Sequence, residues 1–137
     1  MNNHQRTRRV TGLIDSTRCA QDYLAVLANL KLPNRPCDLS LLTTATRMLC
    51  WVMAAMHKDN PSYYIPNLVI DAAGKRWRRW SLAEWENLLG VTGKMVKSCR
   101  SLLVQHHLIV VRPWGYDEGD PRGMEYTLGP RPDREIG

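Results

Sequence analysis

The 137-residue chain contains no unbroken run of about 20 apolar residues, so no membrane span is expected from it. Its opening stretch, Met1 to Val10, is polar and basic with no apolar segment behind it, which does not fit a secretory leader; a cytoplasmic location is the expectation. Cysteine is sparse. The four residues sit at positions 19, 37, 50 and 99, and none forms a C-x-x-C pair. Structural zinc sites usually bring their ligands in close pairs, so no metal site is expected, and scattered thiols of this kind are expected to be buried. There is no phosphate-binding glycine loop, no G-x-S-x-G and no H-E-x-x-H. Glu84 and Glu86 fall on different faces of a helix and make no acid–base pair. His106, beside His107 at a helix end, suits packing or a dipole contact better than metal ligation. No catalytic residue and no cofactor are expected, and the chain does not read as an enzyme.

Hydrophobic residues make up 44% of the chain and charged residues 23%, enough apolar material for one domain with an appended arm. The net charge is +6, and its placement is uneven. Residues 75–112 carry eight Lys or Arg and two Glu, which alone gives +6. Residues 1–74 carry +3 and residues 113–137 carry −3. A clustered positive field favours a polyanion through phosphate neutralisation and counterion release; a merely solvated basic surface is the plainer alternative.

The informative stretch runs from Trp80 to Leu128 and reads as helix, sharp turn, helix, strand, loop, strand. Ser81 is a good helix N-cap, and Glu84 three residues later completes a capping box. Leu82, Trp85, Leu88 and Leu89 form one apolar face. Gly90 is suited to end that helix, Val91 is a small apolar plug, and Thr92 caps the next helix. At 100° per residue, Met95, Val96, Cys99, Leu102, Leu103 and His106 fall in one arc, with Lys94, Lys97, Ser98, Ser101 and Gln105 opposite. One face is core and the other cationic and hydroxylated. Leu108–Arg112 is β-branched and suits a strand, against which Tyr126–Leu128 can pair.

These residues resemble the winged helix-turn-helix family of DNA-binding domains over about the last two-thirds of the chain. The carriers are Leu88-Leu89-Gly90-Val91-Thr92, then Val96 and Leu103, then Leu108-Ile109 opening the wing. Such patterns occur in bacterial regulators and in phage and plasmid replication proteins. Two positions depart from the usual pattern: His107 stands where a glycine commonly precedes the wing, and Arg100 where an apolar residue is common. The resemblance implies a mainly α, α+β domain with a β-hairpin wing over residues 37–129. It also implies a double-stranded DNA partner, in transcription regulation or in replication of a mobile element. The helix 92–106 would enter the major groove. Thr92 and Lys94 would anchor phosphates, and Lys97, Ser98 and Ser101 would face base edges or the far backbone. Lys75, Arg76, Arg78 and Arg79 would grip flanking phosphate, and Arg112 and Arg122 would be the contacts at the base of the wing. The alternatives are a winged-helix subunit or inhibitor that binds protein within a larger nucleoprotein complex, and an RNA or single-strand binding subunit.

The remaining segments frame this unit. Residues 1–12, with Arg6, Arg8 and Arg9, read as a basic arm, either a simple tail or a reach toward phosphates. Residues 13–36 read as an accessory helix and linker. The helix is expected over 15–30, capped by Asp15 or Ser16, with Tyr23, Leu24, Leu27 and Leu30 on one face beside Cys19 and Ala20. It would either pack back on the domain or form a homodimer. Pro33 and Pro36 are expected to keep the linker non-helical. A second helix is expected over 39–57, started by Ser40 or Thr43. Leu42, Ala45, Thr46, Leu49, Val52, Met53 and Met56 make its stripe, with Cys50 and Trp51 beside it. Tyr63–Asp71 looks extended, with Pro66 limiting it to an edge. Arg76–Trp80 could return as a strand with Trp77 and Arg79 on one face and Arg76, Arg78 and Trp80 on the other. That cluster suits phosphate contact and base stacking, or else the tryptophans close the core and the arginines are solvated. The 113–121 loop, with Asp117, Glu118 and Asp120, would be an acidic wing tip and a possible seat for a basic protein partner. Residues 130–137 read as a tail.

Overall fold

Tyr23 and Leu27 decide where the first helix goes. The computed structural model describes residues 17–30, 36–57, 59–114 and 123–129. Within these, helix α1 spans Thr17–Ala28. Tyr23 and Leu27 are buried in the same core cluster as the central helices. The Tyr23 hydroxyl also donates to the Gly129 carbonyl at 2.6 Å. Of the two expected uses of this helix, its apolar face is thus engaged in packing back on the domain. The arm at 1–12, the candidate caps Asp15 and Ser16, the linker residues 31–35, the loop at 115–122 and the tail at 130–137 lie outside the described residues.

Helix α2 spans Pro36–Met56 and begins earlier than its stripe suggested. Proline is tolerated in a first helical turn because the amide hydrogen it lacks would have no partner there. Asp38 in the same turn complements the helix dipole. Neither Ser40 nor Thr43 starts the helix. Ala45, Leu49, Val52, Met53 and Met56 are buried as expected, and so is Met48, which the stripe had omitted. Cys50 is exposed, against the expectation of buried thiols, whereas Cys99 is buried. Burial pushes the Cys99 thiol up to about 11. By length and composition alone the stretch Asp38–Met56, with mean hydropathy 1.4, is apolar enough to cross a membrane. Arg47 and several hydroxyl residues interrupt it, so it is not an unbroken apolar run. In this fold 44% of the stretch is buried inside the molecule, as the central helix of the core.

A 3-10 turn at Ser62–Tyr64 follows, so the expected extended run from Tyr63 is shorter than its composition suggested. Strand β1 covers only Leu68–Ile70 and pairs antiparallel with β2, Arg76–Trp80. Helix α3, Leu82–Leu89, has the full capping box of Ser81 and Glu84 and ends on Gly90 at φ 67°. Only glycine adopts that backbone without strain. Thr92 then caps helix α4, Gly93–Gln105, by accepting from the Met95 amide.

The end of α4 explains the departure at His107. This residue has φ 60°. Its amide donates to the Val104 carbonyl, and the Leu108 amide donates to that of Leu103. Those two bonds define a Schellman ending, whose left-handed position usually holds glycine. Leu108 and Leu103, the two residues that bracket such an ending, are both fully buried in the core. Strand β3, Ile109–Trp114, leaves this turn and pairs with β4, Gly123–Leu128. The sheet is antiparallel with order β1-β2-β4-β3. Gly129 closes it: a Cβ there would lie 2.0 Å from the His107 carbonyl oxygen. The result is an α+β fold with helices packed on a four-stranded antiparallel sheet.

Replacing His107 by glycine is expected to stabilise the protein by about 0.5–1 kcal/mol, because the left-handed penalty exceeds the added chain entropy. His107 is exposed, so little packing is lost. Urea titration should show a higher midpoint at unchanged slope. An unchanged or lower midpoint would contradict this reading of the turn.

Candidate nucleic-acid interface

Helix α4 divides as its periodicity requires. Val96, Cys99, Leu102 and Leu103 are buried, while Lys94, Lys97, Ser98, Ser101 and Gln105 are exposed. The exposed residues line one side of an open groove of about 450 Å3, together with Leu41 of α2 and the edge of Leu102. Two lysine ammonium groups, two serine hydroxyls and an amide thus project from one rigid helix anchored by its opposite face. Ser98 is less available, because its hydroxyl donates to the Lys94 carbonyl at 3.1 Å. The Thr92 oxygen accepts the Met95 amide, which leaves its own hydroxyl hydrogen as a donor.

The cluster Lys75–Arg79 does not form one cationic patch. Alternation along β2 splits it between two faces, as the period of two anticipated. On the helix side, the Arg76 guanidinium donates to the carbonyls of Ala55, His57 and Asn60 and is only 9% exposed. It serves the end of α2, where the last helical carbonyls lack amide partners. Arg78 is also buried, 4.5 Å over the Trp80 ring and 3.9 Å from the Glu84 carboxylate. Neither stands where a flanking phosphate would meet it.

On the other face Trp77 lies beneath the Arg112 guanidinium at 3.8 Å, and its indole donates to Asp71 at 3.0 Å. That hydrogen bond, with amide bonds from Lys75 and Ala73, holds the Asp71 carboxyl below its ordinary value. Arg79 and Arg112 both donate to Glu125 at 2.6 Å, one to each oxygen. Burial pushes the Glu125 carboxyl up, but the two guanidinium groups outweigh it and hold the group below its ordinary range. Arg79 and Arg112 remain partly exposed, so this face presents one net positive charge from the triad, with Lys75 nearby over Trp77. Trp77 and Trp80 are 7% and 2% exposed, so the stacking platform that a single strand would need is absent from these two rings. Arg122 lies outside the described residues.

Two arginines whose roles were not visible in the sequence hold the helix pair in place. Arg47 of α2 donates to the carbonyls of Leu88 and Leu89, satisfying the end of α3. Arg100 of α4 donates to the Tyr126 hydroxyl at 3.2 Å, which accounts for a basic residue at a position where apolar ones are common. Only spacing relative to distant elements could have revealed either role. Among the described residues no cluster of His, Cys, Asp or Glu is arranged to hold a metal ion. Comparison of the chain with protein-family models, with curated proteins and with solved structures gives no match in any of the three.

The Glu125 triad makes a signed prediction. A carboxylate held below its ordinary pKa of 4.5 contributes stability that is present above that value and lost as pH falls through the folded one. The wild type should therefore exceed Glu125→Gln in stability at pH 7, with the gap closing as pH is lowered below 4.5. A gap that stays constant from pH 7 to pH 3 in urea titrations would contradict the pairing.

Proposed function

We propose that this chain is a winged helix-turn-helix protein that binds double-stranded DNA, with α4 as the helix that enters the major groove. The observation that carries the proposal is the exposed face of α4. Its lysines, serines and glutamine face solvent on a helix whose other side is locked into the core. The order of elements supports the same reading. A first core helix α2 precedes strand β2, the α3–α4 pair follows, and the β3–β4 hairpin returns its second strand beside β2. In this reading β3–β4 is the wing, β1 is an addition to the module's first strand, and α1 is an accessory helix.

The roles within the site follow from chemistry and position. Lys94, next to the capped N-terminus of α4, neutralises a phosphate, helped by the Thr92 hydroxyl and the positive end of the helix dipole. Lys97, Ser101 and Gln105 lie at successive turns and face the groove floor, where lysine suits guanine and glutamine suits adenine. Arg112 and Arg79 offer a backbone contact from the sheet, weakened by the Glu125 carboxylate between them. A regulator and a replication-associated factor would use this surface alike. A preference for the DNA upstream of the chain's own gene would distinguish the regulator. The single-strand reading loses its main support with Trp77 and Trp80 buried. The apolar face of the accessory helix is engaged on the domain, so it gives no support to the protein-binding alternative.

The double variant Lys97→Ala, Ser101→Ala changes two exposed side chains and should leave the fold intact. On a preferred duplex the Lys97 change alone should cost roughly 1–3 kcal/mol if it reads a base. Fluorescence anisotropy should then show at least a several-fold loss for the double variant. Near-wild-type binding by a folded double variant would contradict the placement of α4.

A further inference from the structure

A second pocket lies elsewhere on the molecule and shares no residue with the α4 groove. A pocket of about 190 Å3 opens between the C-terminal half of α2, the 60–66 segment and β2. Trp51, Ala55, Ile65, Pro66 and Trp80 give it apolar walls, and Arg78 gives it a charge. A cavity of about 150 Å3 is enough for benzene, so this one takes a single ring with a small polar group.

The pocket's charged group is under-used in a way the fold does not explain. Arg78 has five N–H donors and is 8% exposed. Among the described residues its only hydrogen bond is to the Arg79 carbonyl oxygen. Glu84, its nearest carboxylate at 3.9 Å, is already committed to the capping box of α3 through its other oxygen. A buried guanidinium with spare donors is costly to leave unpaired, and an anion in the pocket would satisfy it. Trp51 adds the second aromatic wall and is 43% exposed, unusual for a tryptophan on the central core helix.

We propose that this pocket binds a small aromatic carboxylate, its ring against the exposed face of Trp51 and the Ile65–Pro66 wall and its carboxylate on the Arg78 guanidinium. Bidentate pairing with a carboxylate is the geometry a planar guanidinium matches best. The ring of Trp80 sits 4.4 Å from that of Trp85, so an occupant would abut the aromatic cluster that seats α3.

The test uses the full chain with benzoate as the probe and benzamide as its neutral counterpart. Two-dimensional NMR of the tryptophan indole N–H signals reads binding directly. Benzoate should shift the Trp80 signal saturably, and benzamide should bind at least tenfold more weakly. Ala54→Phe, at an exposed α2 position lining the pocket, should abolish the benzoate shift while leaving the rest of the spectrum folded. Arg78→Met, if folded, should bind benzoate no better than benzamide. The proposal is overturned by the absence of a saturable Trp80 shift, by equal affinity for the two probes, or by unaltered benzoate binding in folded Ala54→Phe.

Discussion

The packing of Trp80, Trp85 and Tyr126 is the contact on which the rest of this structure depends. The three rings come from β2, α3 and β4 and lie 4.4, 5.6 and 5.4 Å apart, two of the pairs edge-on. Edge-to-face and offset pairs of this kind are worth about 0.5–1.5 kcal/mol each beyond the area they bury. Their larger effect is geometric. Trp80 is the last residue of β2 and Ser81 is the cap of α3, so the ring contact sets the direction in which α3 leaves the sheet. Arg100 reaches the Tyr126 hydroxyl from α4, which ties the second helix to the same cluster. Burial raises the pKa of that tyrosine, so it remains a neutral acceptor for Arg100 across the physiological range.

The basic side chains of this protein divide into three groups with different work. Arg47, Arg76 and Arg100 are engaged with protein carbonyls or a buried hydroxyl. They satisfy helix ends and orient elements, where a long side chain with a planar fork of donors suits carbonyl groups. Arg79 and Arg112 share a carboxylate. The lysines of α4 have no such commitments among the described contacts, and they project from a helix held rigid by its buried side. The surface available to a polyanion is therefore smaller than the +6 of residues 75–112 implied: two lysines on α4 and, on the sheet face, Lys75 with one net charge from the triad.

Local chemistry was legible in the chain; long-range chemistry was not. The capping box at Ser81, the left-handed Gly90, the Thr92 cap and the split faces of α4 depend on neighbours within one or two turns, so spacing alone reveals them. The alternation along β2 was legible for the same reason, although not which face would be buried. Whether Arg76 is solvated depends on the end of α2, some twenty residues away in the chain, with the bond to Ala55 spanning 21 positions. Tyr23 finds Gly129 across 106 positions. The start of α2 was missed because proline breaks helices everywhere except their first turn. The run at Tyr63 looked extended because aromatic and β-branched residues favour strands, while Pro66 and the short β1 leave only three residues to pair. His107 was visible as an anomaly in sequence, but its left-handed backbone needed coordinates.

The central claim is that α4 presents a duplex-binding face, and binding of the wild-type chain as a function of salt tests it most directly. Fluorescence anisotropy on random duplex, on duplex from upstream of its own gene and on a matching single strand would be followed across a salt series. The account predicts that duplex binds more tightly than single strand. It also predicts a shallow dependence, with log K falling against log salt at a slope of about −2 to −4, as expected for two to four neutralised phosphates. Failure to bind either duplex at low salt, or equal affinity for the single strand, would contradict it.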